Sequence, residues 1–575
     1  MNRREFIGGL GAVAALDVLA LPRGTKPYLR VGIFSDTHIK KTPESFQLTA
    51  AAFRVFKAQG VEAIVHCGDL ADLHYDEAYA MYRAGLAETF GDRCPTLVYS
   101  YADHDVLNPD WDRKKRVAPA HFDAKWAYND MREKIGIDHG FFCEKKIGGV
   151  TFIAIPEQVR LIGGFPFVRK RVAAACAATP DRPVVLVTHK PPFATTAQSC
   201  PDGFEDLKRI LDDFPQVVCF HGHTHIPLVN ETNIWQGNFT AVNCGCLYEW
   251  HGRGIASPFV GNRSYWVGVA EFYRDRLVIR RFDVRTGKEV RADAAWCVPL
   301  PFVAKTAPYA YANARRRERK AAYPRGAALK VVHLAAPKNV LRVWVPDSTD
   351  EANVALHRFR AYERAGTDWR EIALQDRLSE FHLMPDEAKG GIWIEVADGY
   401  FRTGKTYRIT ATPVGFRGTE GESLAAEWTA PKLAATELVW SCDDPMRTLS
   451  AEIDKKPVAA EDGWWEVPDG KSIDIALPRE IWDQPEKTKL RFDFTVDIRQ
   501  NRDDQEGMMM NLTPANGYWR KAGIMRLVLP AGTVKDFRYV KTFEAQGVEF
   551  AHKIAFIAKF GGKVRLRSAR LEKYV

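Results

Sequence analysis

Long apolar runs are scarce in this chain of 575 residues. The one membrane-like stretch is short and stands at the amino terminus, so no transmembrane anchor is expected. Cysteine occurs ten times but never as a C-x-x-C pair, which argues against a zinc ribbon and a thioredoxin-type motif. Nine of the ten precede residue 300 and read as small buried hydrophobes or a few disulfides. Neither sign of charge dominates: the formal net charge is +9. That suits anionic substrates or surfaces and calls for no nucleic-acid partner. Internal repeats and low-complexity tracts are absent.

What remains is an ordinary globular composition, 46% hydrophobic and 27% charged. The length exceeds one hydrophobic core, so two to four domains are expected. At the amino terminus Arg3-Arg4, then Phe6, precede the Gly/Ala-rich apolar run Gly8 to Leu16. The pattern resembles a twin-arginine export signal. The resemblance implies export in folded form, to the periplasm or beyond, with residues 1–24 as the signal. Asp17 interrupts the apolar region, and no clear A-x-A cleavage site follows. An amphipathic first helix is the alternative. No cysteine lies nearby to carry a lipid anchor.

From Tyr28 to about Pro299 the pattern alternates strand and helix. Apolar runs at 29–34, 61–66, 95–100, 182–187 and 216–220 read as strands. Helices are expected over 43–59, with Pro43 in the first turn, near 75–90 and over 203–214. A hairpin at 141–155 should turn at Gly148-Gly149, with later strands at 239–243, 265–272 and 276–284. Strands spaced by helices imply a largely parallel sheet. Five strand ends carry Asp/His clusters: Asp36-Thr37-His38, Gly68-Asp69, Asp103-His104-Asp105, Thr188-His189 and His223-Thr224-His225. Ligand sites in α/β sheets gather at carboxyl strand ends, so these clusters should form one pocket. Gly222 is expected to permit the turn that lets His223 and His225 aim at one point. Carboxylates with imidazoles suit two divalent metals that share one carboxylate. Such a pair would generate hydroxide at neutral pH and hold two phosphoryl oxygens, the machinery of phosphoester hydrolysis.

In order and spacing, these five motifs resemble the calcineurin-like metallophosphoesterase family over roughly residues 28–300. The resemblance implies a four-layer αββα sandwich. It implies two divalent transition metals, manganese, iron or zinc. Asp36, His38, Asp69 and His225 would hold one; Asp69, Asp103, His189 and His223 would hold the other. Asp69 would bridge. His104 would stand beside the phosphate as proton donor or transition-state stabiliser, with Asp105 orienting it. The family usually has Asn where this chain has Asp103. The extra negative charge should tighten cation binding, favour a trivalent iron, and weaken the pull on a bound phosphate. Arg253 reads either as a phosphate clamp or as an ordinary loop arginine. His66, His74, His121, His139, His251 and His333 are expected on the surface or behind the ligands. Residues 106–140, with Trp111, Trp126, Tyr128 and the basic run 113–116, are a candidate pocket wall.

The pattern changes after residue 300. Residues 301–328, with Arg315-Arg316-Arg317-Glu318-Arg319-Lys320, show little periodicity. They read as a solvated linker, with a basic nucleic-acid or membrane patch as the alternative. Residues 329–432 hold short alternating runs and resemble a fibronectin type III domain around Tyr407 to Val414 and Trp428. Residues 433–575 suggest a second β-sandwich, loosely similar to carbohydrate-binding jelly rolls. Trp464, Trp465, Trp482 and Trp519 are either core and edge aromatics or a glycan-stacking face. The whole therefore reads as an α/β phosphoesterase domain at 25–300 followed by two all-β sandwiches. It would be an exported enzyme that hydrolyses a phosphomonoester or phosphodiester. The competing reading is a surface glycan-binding protein whose phosphoesterase domain is catalytically weak.

Overall fold

The structure, a computed structural model, describes residues 26–107, 123–197, 199, 203–248, 264–334, 340–379, 390–397, 401–431, 438–443, 448–468, 471–476, 489–500, 508–514, 524–527, 532–544, 551–558 and 563–574. The expected export signal at 1–24, Arg253, His121, His251, Trp111, the run 113–116, Trp482 and Trp519 lie outside the described residues.

The first part contains thirteen described strands. They are β1 (Leu29–Phe34), β2 (Ala63–His66), β3 (Thr96–Tyr99), β4 (Cys143–Ile147), β5 (Val150–Ala154), β6 (Val184–Val187), β7 (Val217–His221), β8 (Ile234–Gln236), β9 (Thr240–Asn243), β10 (Trp266–Phe272), β11 (Arg276–Asp283), β12 (Glu289–Val290) and β13 (Trp296–Pro299). They form two sheets, not one. The first runs β12-β11-β10-β1-β2-β3, with β13 also on β11; the second runs β4-β5-β6-β7-β9-β8. Only β1-β2-β3 and β5-β6-β7-β9 pair in parallel; the outer strands pair antiparallel.

Alternation along the strands creates the layers, because successive side chains leave opposite faces. Val31 and Ile33 of β1 meet Phe152, Val185, Val187 and Phe220 of the other sheet in one buried core. Their neighbours Phe34 and Ile64 face the other way, onto α1 (Pro43–Gln59), α2 (Asp76–Phe90) and α3 (Ala124–Ile135). Val184 and Leu186 turn outward onto α4 (Gly164–Ala178) and α5 (Glu205–Leu211). Each fully buried aliphatic side chain here contributes roughly 1.5–3 kcal/mol. The result is the four-layer αββα order. α1 begins at Pro43 and closes on Gly60 in left-handed geometry, as the Pro/Gly asymmetry of helix ends requires.

Residues 301–328 are not a solvated linker. Tyr309 accepts from the Cys297 amide, and its own amide donates to Gln236. Ala307 and Ala314 are buried. The helix α6 (Tyr311–Arg317) ends on Glu318, whose carboxylate accepts the Arg417 and Thr419 amides. The segment is a strap bonded to both halves of the chain.

Beyond it the structure is all β. A three-stranded sheet (Lys330–Leu334, Val340–Pro346, Gly391–Ala397) faces a four-stranded one (Asp368–Leu378, Val354–Ala365, Thr406–Gly415, Leu424–Thr429). Leu341, Val343 and Ile394 of the first pack on Phe359, Tyr407 and Ile409 of the second. Two further sheets, of five and six strands, follow. There Trp465 is buried and Trp464 lies under the Arg565 guanidinium at 4.7 Å. Among the described residues no helix is long and apolar enough to cross a membrane.

Candidate metal centre

Each ligand candidate stands just past a strand end. Asp36 and His38 follow β1, Asp69 follows β2, Asp103 follows β3, His189 follows β6, and His223 and His225 follow β7. Backbone hydrogen bonds lace the loops together. The amides of Asp36 and His38 donate to the carbonyls of Gly68 and Asp69, and the His223 amide donates to the Asp36 carboxylate at 3.0 Å. The centre therefore straddles the carboxyl ends of both sheets.

The local backbone is strained where the ligands sit. Asp36, His38, Asp69, His223 and His225 all have positive φ, between 42° and 74°. Left-handed geometry costs a non-glycine residue on the order of 1 kcal/mol or more. Five of the seven ligand candidates adopt it, and the surrounding pairs hold them there. Gly222 does not supply the expected turn; His223 and His225 do. Gly222 is needed for contact, because a Cβ there would collide with Ser35 and the Asp36 carboxylate. At Gly68, with φ +99°, a Cβ would stand 2.9 Å from His189 Nδ1.

The side chains form two adjoining groups. Donor atoms of Asp36, His38, Asp69 and His225 lie within 4.8 Å of one another, as do those of Asp69, Asp103 and His189. Asp69 belongs to both. His223 joins the second group through His189, with Nδ1 3.3 Å from its Nε2. His189 Nε2 is 3.2 Å from Asp69 Oδ2, and His225 Nε2 is 3.2 Å from Asp36 Oδ1. All seven residues are thus brought together.

This donor set fits cations. His38 Nε2 and His225 Nε2 approach to 3.0 Å, a contact that a shared cation would satisfy for both. Asp36, Asp69, Asp72, Asp103 and Glu157 crowd the region, while the nearby lysines are Lys40, 3.9 Å from Asp72, and Lys190, 2.8 Å from Glu157. Without a cation, burial lowers the His38 pKa and pushes His223 down to about 3. Both imidazoles are thereby kept neutral, as ligation needs. Burial opposes ionisation of Asp36 and Asp69, yet His225 and His189, respectively, hold them well below the usual carboxylate range. Burial also disfavours a charged His189, but Asp69 raises its pKa.

His104 and Asp105 part company. The His104 ring stands 4.6 Å from the His38 ring, and its Nδ1–H donates to the Asp72 carbonyl at 2.8 Å. Asp105 does not orient that ring. Its carboxylate accepts the Leu70 and Ala102 amides and the Tyr99 hydroxyl, bracing the loops from below. Burial and the Asp69 charge push Asp105 up to about 7, against those donors.

Three residues that sequence reasoning missed belong here. Asp72 lies 3.5 Å from His38 Nδ1; its spacing of three from Asp69 was the only signal. Glu157 accepts the Asp103 amide at 3.0 Å, and its position just past β5 could have marked it. Tyr248 approaches His38 to 5.1 Å and lies under Lys40, with no signal in the pattern. Of the remaining histidines, His66 bonds to the Gly68 amide and Thr37 behind the ligands, His74 to Asp130, and His139 accepts the Tyr99 amide. His333 lies in the Lys330–Leu334 strand, far along the chain.

Comparison with known proteins now adds a decisive fact. Residues 29–227 match the family model described as calcineurin-like phosphoesterase. This region is a calcineurin-like phosphoesterase domain. All seven ligand candidates and His104 lie inside it; Arg253 does not. As such a domain it belongs to metal-dependent phosphoric ester hydrolases. No curated protein matches the chain. Among solved structures, a purple acid phosphatase isolated from yellow lupin (Lupinus luteus) seeds matches with 12% sequence identity and a TM-score of 0.34. That match covers 47% of this chain and 53% of the lupin protein, so it spans about half of that protein's length.

Proposed function

We propose that residues 25–300 hydrolyse a phosphomonoester or phosphodiester at a dinuclear metal centre, in a protein exported in folded form. The observation that carries the reading is the convergence of five left-handed Asp and His residues from both sheets on one point, four of them buried and His223 half-buried. Strained backbone of this kind persists only where the surroundings over-determine it, and it clusters at functional sites. Asp36, His38, Asp69 and His225 would hold one divalent transition metal; Asp69, Asp103, His189 and His223 would hold the second. When bound, such a pair supplies Lewis acidity toward phosphoryl oxygens and a water nucleophile at neutral pH.

The chain's own groups do the rest. His104 gives Nδ1–H to the Asp72 carbonyl, which fixes the ring and leaves Nε2 as its other proton-carrying atom. In the imidazolium, Nε2–H hands its proton to the leaving oxygen. Burial opposes that charged form, but the Asp69 charge and the Asp72 carbonyl raise the His104 pKa. Asp105 ties the Asp69 loop to the His104 loop, so the acid and the ligands move as one body. Tyr248 and Lys40 form one wall beside His38.

The direct test is elemental analysis together with turnover of a nitrophenyl phosphomonoester and a bis-nitrophenyl phosphodiester. About two manganese, iron or zinc ions per chain with turnover of either ester is expected. Less than one ion after loading would sink the dinuclear reading. Export is tested by Arg3→Lys with Arg4→Lys, which should retain the protein in the cytoplasm; unchanged fractionation removes the signal reading. For the appended parts, the three-on-four sheet packing supports a fibronectin type III-like sandwich at 329–432. The buried Trp465 and covered Trp464 support the core reading of those aromatics over a glycan face.

A further inference from the structure

The strap encloses a second place with unspent charge. A cleft of about 670 Å³ opens between α6 and the turn at 418–420, lined by Tyr311, Arg315, Arg316, Lys320, Thr419 and Glu420 among others. Each acid near it is already neutralised by protein groups. Glu318, the only acid in the run from Arg315 to Lys320, turns inward onto the Arg417 and Thr419 amides. Glu420 accepts from Arg358 at 2.8 Å and from Arg360 at 2.9 Å. Burial opposes its ionisation, but those two guanidiniums hold its carboxyl below the ordinary value. Arg317 folds back onto the carbonyls of Asn313 and Pro308.

Arg315, Arg316 and Lys320 are left over. Among the described residues no carboxylate pairs with any of them. Arg316 and Lys320 are exposed, and Arg315 is half-buried with Nη1 3.5 Å from the Tyr311 hydroxyl. Three cations around one concavity, with the Thr419 hydroxyl beside them, match oxyanions in both charge and hydrogen-bond polarity, while the Tyr311 hydroxyl donates to the Arg417 carbonyl. At about 670 Å³ the cleft is far larger than one phosphate needs, and three of its lining residues are cationic. A ligand with several closely spaced phosphate groups fills it best. The lining offers no large exposed apolar side chain for insertion into a bilayer and no pair of open rings for base stacking, which disfavours a membrane or single-stranded nucleic acid.

We propose that the cleft between α6 and the 418–420 turn is a binding site for a polyphosphorylated ligand, separate from the metal centre. The test uses full-length protein stripped of metal with chelator, so that the metal centre does not compete for the probe. Inorganic tripolyphosphate is titrated by calorimetry at low and high salt. Binding is expected at low salt and should weaken as salt rises. The double variant Arg316→Ala/Lys320→Ala alters only exposed side chains and should bind at least tenfold more weakly. Its turnover of nitrophenyl phosphate, once metal-loaded, should match that of the unaltered protein. A second variant, Arg315→Gln, should weaken binding as well. A parallel arm offers vesicles containing a phosphoinositide. Cleft-dependent capture by vesicles without tripolyphosphate binding would assign the phosphates to a lipid headgroup. Equal tripolyphosphate affinity in the unaltered and double-variant proteins would overturn the proposal. So would failure of both probes to bind.

Discussion

Left-handed backbone occurs in both halves of this molecule, for opposite reasons. In the carboxyl-terminal half, Asp454 and Lys455 carry φ of 50° and 62° between the strands Ala451–Ile453 and Lys456–Val458. A two-residue hairpin loop of the type I′ kind needs positive φ at both central residues, and these two are exposed. Local geometry explains them completely. In the phosphoesterase domain Asp36, His38, Asp69 and His225 have the same backbone, yet they are buried and follow parallel strands. No hairpin demands it there. The buried charges differ in the same way. His357 in the sandwich is matched with Glu351 at 2.8 Å and with Tyr323 at 2.9 Å. At the metal centre carboxylates and imidazoles outnumber the fixed cations available to them. Strain and unbalanced charge without a local cause distinguish a site from a turn or a core pair.

The sharpest way to break that contrast is Asp69→Asn, which removes the charge common to both ligand groups. Metal content should fall below one ion per chain, and turnover should drop by on the order of a thousand-fold or more, since the metals supply the nucleophile. Retention of two ions would mean that the two groups do not share Asp69.

Next in size is His104→Ala. The ring groups with His38 and Asp72 but is not one of the seven proposed ligands, and its Nδ1 is taken up by the Asp72 carbonyl, so metal content and folding should persist. Turnover should fall by about a hundred-fold, the usual range for a lost proton donor. The loss should be larger for an alkyl phosphoester than for a nitrophenyl ester, whose oxygen leaves unaided. Full activity on the alkyl ester would remove His104 from the mechanism.

A smaller effect compares the two kinds of turn. Gly222→Ala places a methyl against Ser35 and Asp36 and should cost about 1–3 kcal/mol of stability, as overpacking does. Asp454→Gly relieves left-handed strain at an open hairpin and should leave stability within about 0.5 kcal/mol or raise it. Thermal melts check both. Similar shifts would erase the distinction drawn between the two regions.

How much of this was legible follows from the geometry. The strands and the seven ligand candidates were readable because each ligand directly follows an apolar run. The first two helices were readable as well, α1 from Pro43 to its end before Gly60. The division into two sheets was not readable from strand-helix alternation, because parallel pairing within each sheet gives the same pattern as one sheet; the family resemblance supplied it. Asp105 was misplaced for a local reason. His104–Val106 form a 3-10 turn, where consecutive side chains diverge by about 120°, so sequence neighbours face different partners. Asp72, Glu157 and Tyr248 reach the site only through tertiary convergence. The strap was read as solvated because its contacts are single side chains, Tyr309 and Glu318, with no periodic pattern to announce them.

The finest test lies at the one departure from the family pattern. Asp103 Oδ1 accepts the His104 amide at 3.0 Å, while the Asp103 amide donates to Glu157. An asparagine oxygen can keep the first bond, and the second uses only backbone. Asp103→Asn therefore changes charge with little change in contact. Burial already raises the Glu157 pKa, and the Asp103 charge adds to it, against the pull of His189 and Lys190. Removing that charge should return Glu157 toward its ordinary value and tighten its pair with Lys190. Metal affinity should weaken slightly, because one negative charge near the cations is lost. Turnover should stay equal or rise a few-fold, because the cations then draw more strongly on a bound phosphate. Parallel metal titrations and steady-state rates on both proteins measure the two effects. A fall in turnover beyond tenfold with two metals bound would show that this chain depends on the extra carboxylate, and that its acid at 103 does more than stand in for an amide oxygen.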